Sequence, residues 1–292
     1  MDSSTEPTTR SGPDRTAAPL EPGGSGLDVP GTWNVRDVGA SAAGGPVRPG
    51  VLLRSASLSG LDLAGVDALR DLGVTAVLDL RGDDEIARDG SDRLPDGVRH
   101  LRLPFGGMAP ARGAGSPDDG AAADPLALVR TLVGTDDPEA AGEAVMRRLY
   151  AGFATDPAAH AAVTGALRAL AEESGAVLVH CSAGKDRTGW VVAVVQILCG
   201  VPPEDVMAEY LRSAASATTL AASLPEIPGL DPAFWTAVTT VRPEYLETAL
   251  QAVTEAYGSV EGYIEAIGGE ADIVTAVRAR LVGTGTSTPV RS

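Results

Sequence analysis

Cys181, Arg187 and Thr188 stand at fixed spacing in His180-Cys181-Ser182-Ala183-Gly184-Lys185-Asp186-Arg187-Thr188-Gly189: a cysteine, five residues, then an arginine and a hydroxyl. Ala176-Val177-Leu178-Val179 precede the stretch, and the apolar run Trp190 to Leu198 follows it. That layout predicts a buried strand, a tight loop and a buried helix. The exposed N–H groups of a helix N-terminus attract an anion, so such a loop can cradle a phosphoryl group. A free thiol is only about 3% thiolate at neutral pH. The amides of Ser182 through Arg187, the helix dipole and the cations Lys185 and Arg187 would all favour the anion. Full ionisation is worth about 30-fold in nucleophile, on the order of 2 kcal/mol. Arg187 can hold two phosphoryl oxygens through its planar fork, better than a lysine could. Thr188 is placed to hydrogen-bond the Cys181 sulfur as it leaves, and His180 to point back into the strand layer and orient the loop.

A lone cysteine before a helix is ordinarily a small buried hydrophobe. Here the fixed spacing of Cys181, Gly184, Arg187 and Thr188 favours a nucleophile. Sulfurtransferases also use a cysteine loop, but typically a shorter one, and the Arg187-Thr188-Gly189 ending speaks against that chemistry.

The elements that must position these residues alternate. Ser59 can cap a helix over 61–72 with Gly73 behind it, and Val74 to Leu80 reads as a strand. Residues 136–154 carry Val145, Leu149 and Phe153 at helical spacing. Pro157 opens a helix to about Glu173, and Pro243 opens another that Gly258 ends. The predicted fold class is α/β: a mostly parallel central sheet flanked by helices, with the site at the carboxyl ends of the strands. Cys199 lies about 16 Å from the loop along an unbroken helix, beyond disulfide reach. His100, His160 and His180 lack zinc-site spacing, so neither metal nor cofactor is expected.

The loop resembles that of protein tyrosine phosphatases, and its Gly-Lys-Asp-Arg-Thr-Gly form is similar to the bacterial family of the mycobacterial B type. Trp33-Asn34-Val35-Arg36-Asp37-Val38-Gly39, Leu53-Arg54-Ser55-Ala56-Ser57-Leu58 and Val77-Leu78-Asp79-Leu80-Arg81 resemble further family segments, as do Val241 to Leu246 and Tyr257 to Tyr263. The resemblance runs from about residue 28 to about 282. It implies a phosphatase fold with a helical lid, which would fall between Arg212 and Thr240, where Pro225, Pro228 and Pro232 interrupt the pattern. It implies a phosphatase acting on phosphotyrosine in proteins through a cysteinyl-phosphate intermediate, and on phosphoinositides, which the family is reported to accept. The alternative is a phospho-ligand binding module with little turnover.

The expected site comprises Cys181 as nucleophile and Arg187 and Thr188 in support, with Ser182, Ala183, Gly184 and Lys185 on the substrate. Lys185 could meet additional phosphates or only raise the local potential. A proton donor is less clearly marked. None of Trp33, Trp190 and Trp235 is followed by Pro-Asp, so the mobile acid loop of many tyrosine phosphatases is missing. Asp79, at a strand end, matches the family's favoured acid; Asp186, inside the loop, is the second candidate. The expectation prefers Asp79. Its bland role is partner to Arg81 or Arg36, and that of Asp186 is to position Arg187.

The chain has 292 residues, 23 Lys and Arg against 39 Asp and Glu, and a net charge of -16. That balance argues against nucleic acid and against stable membrane insertion. It makes the anion site a local positive island. We expect one catalytic domain over 28–292 behind a disordered Ser-, Thr-, Pro- and Gly-rich tail over 1–27, with a second low-complexity excursion over 106–124. The tail carries no apolar signal core, so the expected location is cytoplasmic.

Overall fold

The computed structural model describes residues 27–40, 46–106, 136–223 and 231–282. The expected tail through residue 26, nearly all of the 106–124 excursion, and Leu224, Pro225 and Pro228 of the expected lid lie outside them.

Strands β1 (Arg36–Asp37), β2 (Leu52–Ser55), β3 (Val74–Asp79), β4 (Arg99–Arg102) and β5 (Ala176–His180) form one sheet in the order β1-β2-β5-β3-β4. β1 runs antiparallel to β2, and the other pairs are parallel. The apolar run before Cys181 therefore becomes the central strand. Its last residue, His180, stands in register with Ser55 of β2 on one side and Asp79 of β3 on the other. The loop that follows thus opens at the carboxyl edge of three parallel strands, where open sheets bind ligands.

Alternation along β5 divides the core. Val177 and Val179 face helices α3 (Pro138–Phe153), α4 (Pro157–Glu172) and α5 (Asp186–Leu198), among Tyr150, Leu167 and Trp190. Ala176 and Leu178 face α1 (Leu63–Asp71), with Leu58, Leu61 and Leu69. Helices on both faces are what a parallel sheet requires. Every residue of α5 from Arg187 to Gln196 is buried, as its all-round apolar sequence demands.

Local signals explain most boundaries. Asp156 caps α4 ahead of Pro157, and Gly258, at φ +78°, ends α9 (Pro243–Tyr257). One expectation fails: α1 is capped by Asp62, whose carboxylate accepts from Gly65 N at 2.9 Å. Ser59 instead pairs with Ser57, 3.0 Å away. Helix α2 (Asp83–Asp89) follows β3 directly. Helix α6 (Pro203–Leu211) precedes the expected lid region, whose described residues hold a 3-10 turn (Arg212–Ser216), α7 (Ala217–Ser223) and α8 (Pro232–Thr239). Phe234 anchors α8 in the main core, and its carbonyl lies so close to Gly142 of α3 that a Cβ there would sit 2.8 Å away. Helices α10 (Val260–Ala266) and α11 (Ala271–Val282) complete the described chain. Among the described residues no helix is long and apolar enough to cross a membrane.

Candidate active site

Between His180 and the start of α5 the chain turns in five residues, Cys181 to Lys185. Gly184 makes the turn possible: it sits at φ +63°, and a Cβ there would fall 2.1 Å from the Ser55 carbonyl oxygen of β2. Ser57 N donates to the Ser182 carbonyl at 3.1 Å, tying the loop to the residues after β2. Cys181 is buried, and its side chain joins the main core cluster.

Arg187, in the first turn of α5, is held by the residue after β3 and by α2. Its Nη1 donates to the Leu80 carbonyl at 3.0 Å and to Glu85 Oε2 at 2.7 Å, and its Nη2 donates to Glu85 Oε1 at 2.5 Å. Glu85 also accepts from the Ser182 hydroxyl at 2.6 Å and from Gly82 N at 2.8 Å. Burial pushes the Glu85 carboxyl up, but the bonds and charge of Arg187 and the bonds from Ser182 and Gly82 outweigh it and bring it down to about 2. Burial likewise pulls the Arg187 guanidinium down, while the charges of Cys181 and Glu85 push it above the usual arginine range. Nε and one Nη2 hydrogen of Arg187 meet no acceptor among the described residues. They form one edge of the fork, which suits two oxygens of a phosphoryl group.

The acid candidates occupy different surroundings. Asp79 is wholly buried, and both its oxygens are engaged by Arg81: backbone N, Nε and Nη2 all donate to it at 2.9 Å. Arg81 Nη2 also donates to Asp92 at 2.7 Å, and Asp92 meets His180 Nε2 at 2.8 Å and His100 Nε2 at 3.2 Å. Burial raises the Asp92 carboxyl, and the two histidines with Arg81 lower it far below the usual range. Asp79, Asp92 and His180 bring ligand-type atoms within 4.8 Å of one another, but the charge of that cluster is already met by Arg81. The expected preference for Asp79 as acid is therefore at odds with its geometry, since it has no free oxygen and no exposure. Its bland role as partner of Arg81 is the one it fills. Asp186 is partly exposed; its Oδ1 accepts from the Tyr150 hydroxyl at 2.7 Å, and Tyr150 in turn meets the Tyr210 hydroxyl at 2.8 Å.

Of the two roles open to Lys185, the structure disfavours one. Lys185 does not face additional phosphates: it is buried, donating to the Val238 carbonyl at 2.6 Å and the Thr240 carbonyl at 2.9 Å, with Asp186 Oδ2 at 3.5 Å. Burial lowers its ammonium, partly offset by Asp186. It tethers the loop to the end of α8, because that helix leaves its last carbonyls open. The Thr188 hydroxyl is buried and takes no hydrogen-bond partner among the described residues.

The sequence reading missed Glu85 as a partner of Arg187, 102 positions away. The spacing from Gly82 to Glu85 signals a helix start, as the bond to Gly82 N bears out, but nothing local signals the second role. It also missed Asn34, Arg54 and Glu209 beneath the loop. The first two lie in motifs singled out for resemblance without a role.

Residues 27–283 match the tyrosine phosphatase family. The chain is 37% identical over 280 residues to the triple specificity protein phosphatase PtpB of Mycobacterium tuberculosis, covering 88% of this chain and 99% of that one. It is 29% identical over 237 residues to a candidate tyrosine-protein phosphatase of Cupriavidus necator, with 79% and 80% coverage. Among solved structures, TpbA of P. aeruginosa in complex with pTyr overlaps 75% of this chain and 87% of its own, at 19% identity and a TM-score of 0.31, too loose to carry argument.

Proposed function

This chain belongs to the tyrosine phosphatase family and is a protein-tyrosine phosphatase, and from that premise we propose how its residues divide the work. The Cys181 thiolate attacks phosphorus. The S–P bond forms as the bond to the tyrosine oxygen breaks, and that oxygen takes a proton. Water then attacks the cysteinyl phosphate, releasing inorganic phosphate and restoring the thiolate. The amides of Ser182 through Arg187 and the free edge of Arg187 stabilise the equatorial oxygens as charge develops. Glu85 presents that edge, and the observation that carries the reading is its two-pronged grip on Arg187. Asp186 is assigned as the proton donor over Asp79, because it lies in the loop and keeps access to solvent. Thr188, with its unpartnered hydroxyl, is assigned to the sulfur as the phosphoenzyme breaks down.

Phosphotyrosine in proteins is the proposed first substrate class. The name of the M. tuberculosis relative, a triple specificity phosphatase, supports a wider range that would extend to phosphoserine and phosphothreonine. Phosphoinositides, the other proposed class, would meet a Lys185 already committed to α8. The reading predicts that p-nitrophenyl phosphate is hydrolysed by the wild type and not by Cys181→Ser, and that a phosphoenzyme can be trapped in the first. Turnover retained by Cys181→Ser overturns it.

A further inference from the structure

The motifs around Asn34 and Arg54 lie in the floor of the loop. Asn34 is the one non-glycine residue at positive φ among the described residues, at +57°, a conformation asparagine tolerates better than most. Its Nδ2 donates to the carbonyls of Ala183 at 3.1 Å and Gly184 at 2.9 Å, while its own oxygen is held by Arg36 Nη1. Arg54, wholly buried, donates from Nη2 to the Gly184 carbonyl at 2.7 Å and to that of Lys185 at 3.4 Å. Glu209 of α6 accepts from Arg36 Nε at 2.8 Å and Arg54 Nη1 at 3.3 Å, and ion-pairs with Arg212 at 3.1 Å. One carboxylate thus serves two buried guanidinium groups, Arg36 and Arg54, as well as the partly buried Arg212.

The carbonyls of 183 and 184 are drawn to the floor by two side chains, and that of 185, which accepts from Gly189 N at 2.7 Å as α5 begins, also meets Arg54. In a trans peptide the N–H opposes the C=O, so this turns the amides of 184, 185 and 186 the other way, toward the anion. A cationic donor on a carbonyl also polarises its peptide and strengthens the N–H on the far side.

We infer that Asn34 and Arg54 are positioning residues for catalysis: they aim the amide donors of the phosphate loop and favour the ionised form of Cys181. The inference rests on the proposed function, but its readout does not need turnover.

The experiment uses the full chain carrying Cys199→Ser, so that Cys181 is the sole thiol. The rate of alkylation by iodoacetamide is followed against pH, and inorganic phosphate affinity is read from the shift in Tm. Asn34→Gly keeps the left-handed backbone and removes only the amide. Arg54→Met removes the charge, and Arg54→Lys restores it with fewer donors. The other ionisable groups around Cys181, namely Arg187, Lys185, Asp186, Glu85 and His180, are unchanged throughout. The alkylation midpoint should rise by about one pH unit, a tenfold loss of thiolate, in Asn34→Gly and Arg54→Met, with weaker phosphate binding. Arg54→Lys should recover part of the shift. A folded Asn34→Gly with the wild-type midpoint and phosphate affinity overturns the inference, whether or not Arg54→Met folds. If Cys181→Ser is inactive and Asn34→Gly is unshifted, this inference alone fails. An active Cys181→Ser instead sinks the proposed function.

Discussion

At the residue scale, two carboxylates divide the tasks that one is often asked to share. Asp79 is spent on Arg81 in the interior, whereas Asp186 lies in the loop with partial exposure. Removing one partner of a buried ion pair leaves the other uncompensated, at a cost of about 3–5 kcal/mol. Asp79→Asn should therefore lower Tm sharply. Asp186→Asn should leave Tm nearly unchanged and lower kcat on phenyl phosphate, a poor leaving group, by about 10²–10⁴-fold. The reverse pattern would restore Asp79 as the acid. Glu85 gives a second prediction. Its carboxyl is brought from 4.5 down to about 2 by its partners, so it binds fewer protons folded than unfolded. Stability from this group is present above about 4.5 and is lost as pH falls toward 2. Unfolding of the wild type should therefore become easier through that window, and Glu85→Gln should show a shallower pH dependence there. At neutral pH the same variant should lose about 10²-fold in kcat/KM, because the Arg187 fork is no longer held in place. Equal slopes in both proteins would show that Glu85 is not the group lost on acidification.

At the scale of elements, the phosphate loop is a joint among four pieces. It follows β5, opens α5, lies on the β2 backbone through Gly184, and is tied to the end of α8 through Lys185. Gly184→Ala would have to adopt φ +63° and push a methyl group against the Ser55 carbonyl. The expected result is a loss of at least about 2 kcal/mol in urea unfolding, with activity abolished because the loop cannot close as built. Wild-type activity in this variant would mean that the loop can relax without β2. The strand, loop and helix around Cys181 were legible because each has a local cause: an apolar run, a glycine and an N-terminal turn. The direction of Lys185 was not, because its partners are carbonyls more than fifty positions away.

At the scale of the whole molecule, a net charge of -16 surrounds a site that must accept an anion. Repulsion between exposed charges falls as salt screens it over the Debye length. For a phosphopeptide with acidic flanks, kcat/KM should rise a few-fold between about 20 and 200 mM salt while kcat stays level. A neutral-flanked peptide should respond less, and identical responses would show that the global charge does not act at the site. The buried cations beneath and beside the loop, Arg54, Arg187 and Lys185, oppose this field, each with a carboxylate beside it.

The sequence by itself determined the strand, loop and helix around Cys181, the alternation that makes a mostly parallel sheet, and the bounds of helices such as α4 and α9. These follow from neighbours within one turn or one strand, where side-chain period, caps and glycines act directly. Only the tertiary structure decided that Asp79 serves Arg81, that Lys185 turns toward α8, that Glu85 grips Arg187 and that Asn34 and Arg54 form the loop's floor. Each of those outcomes depends on which buried charges and carbonyls meet across the sheet. A buried polar group takes whichever partner the packing brings to it, and the local sequence does not carry that information.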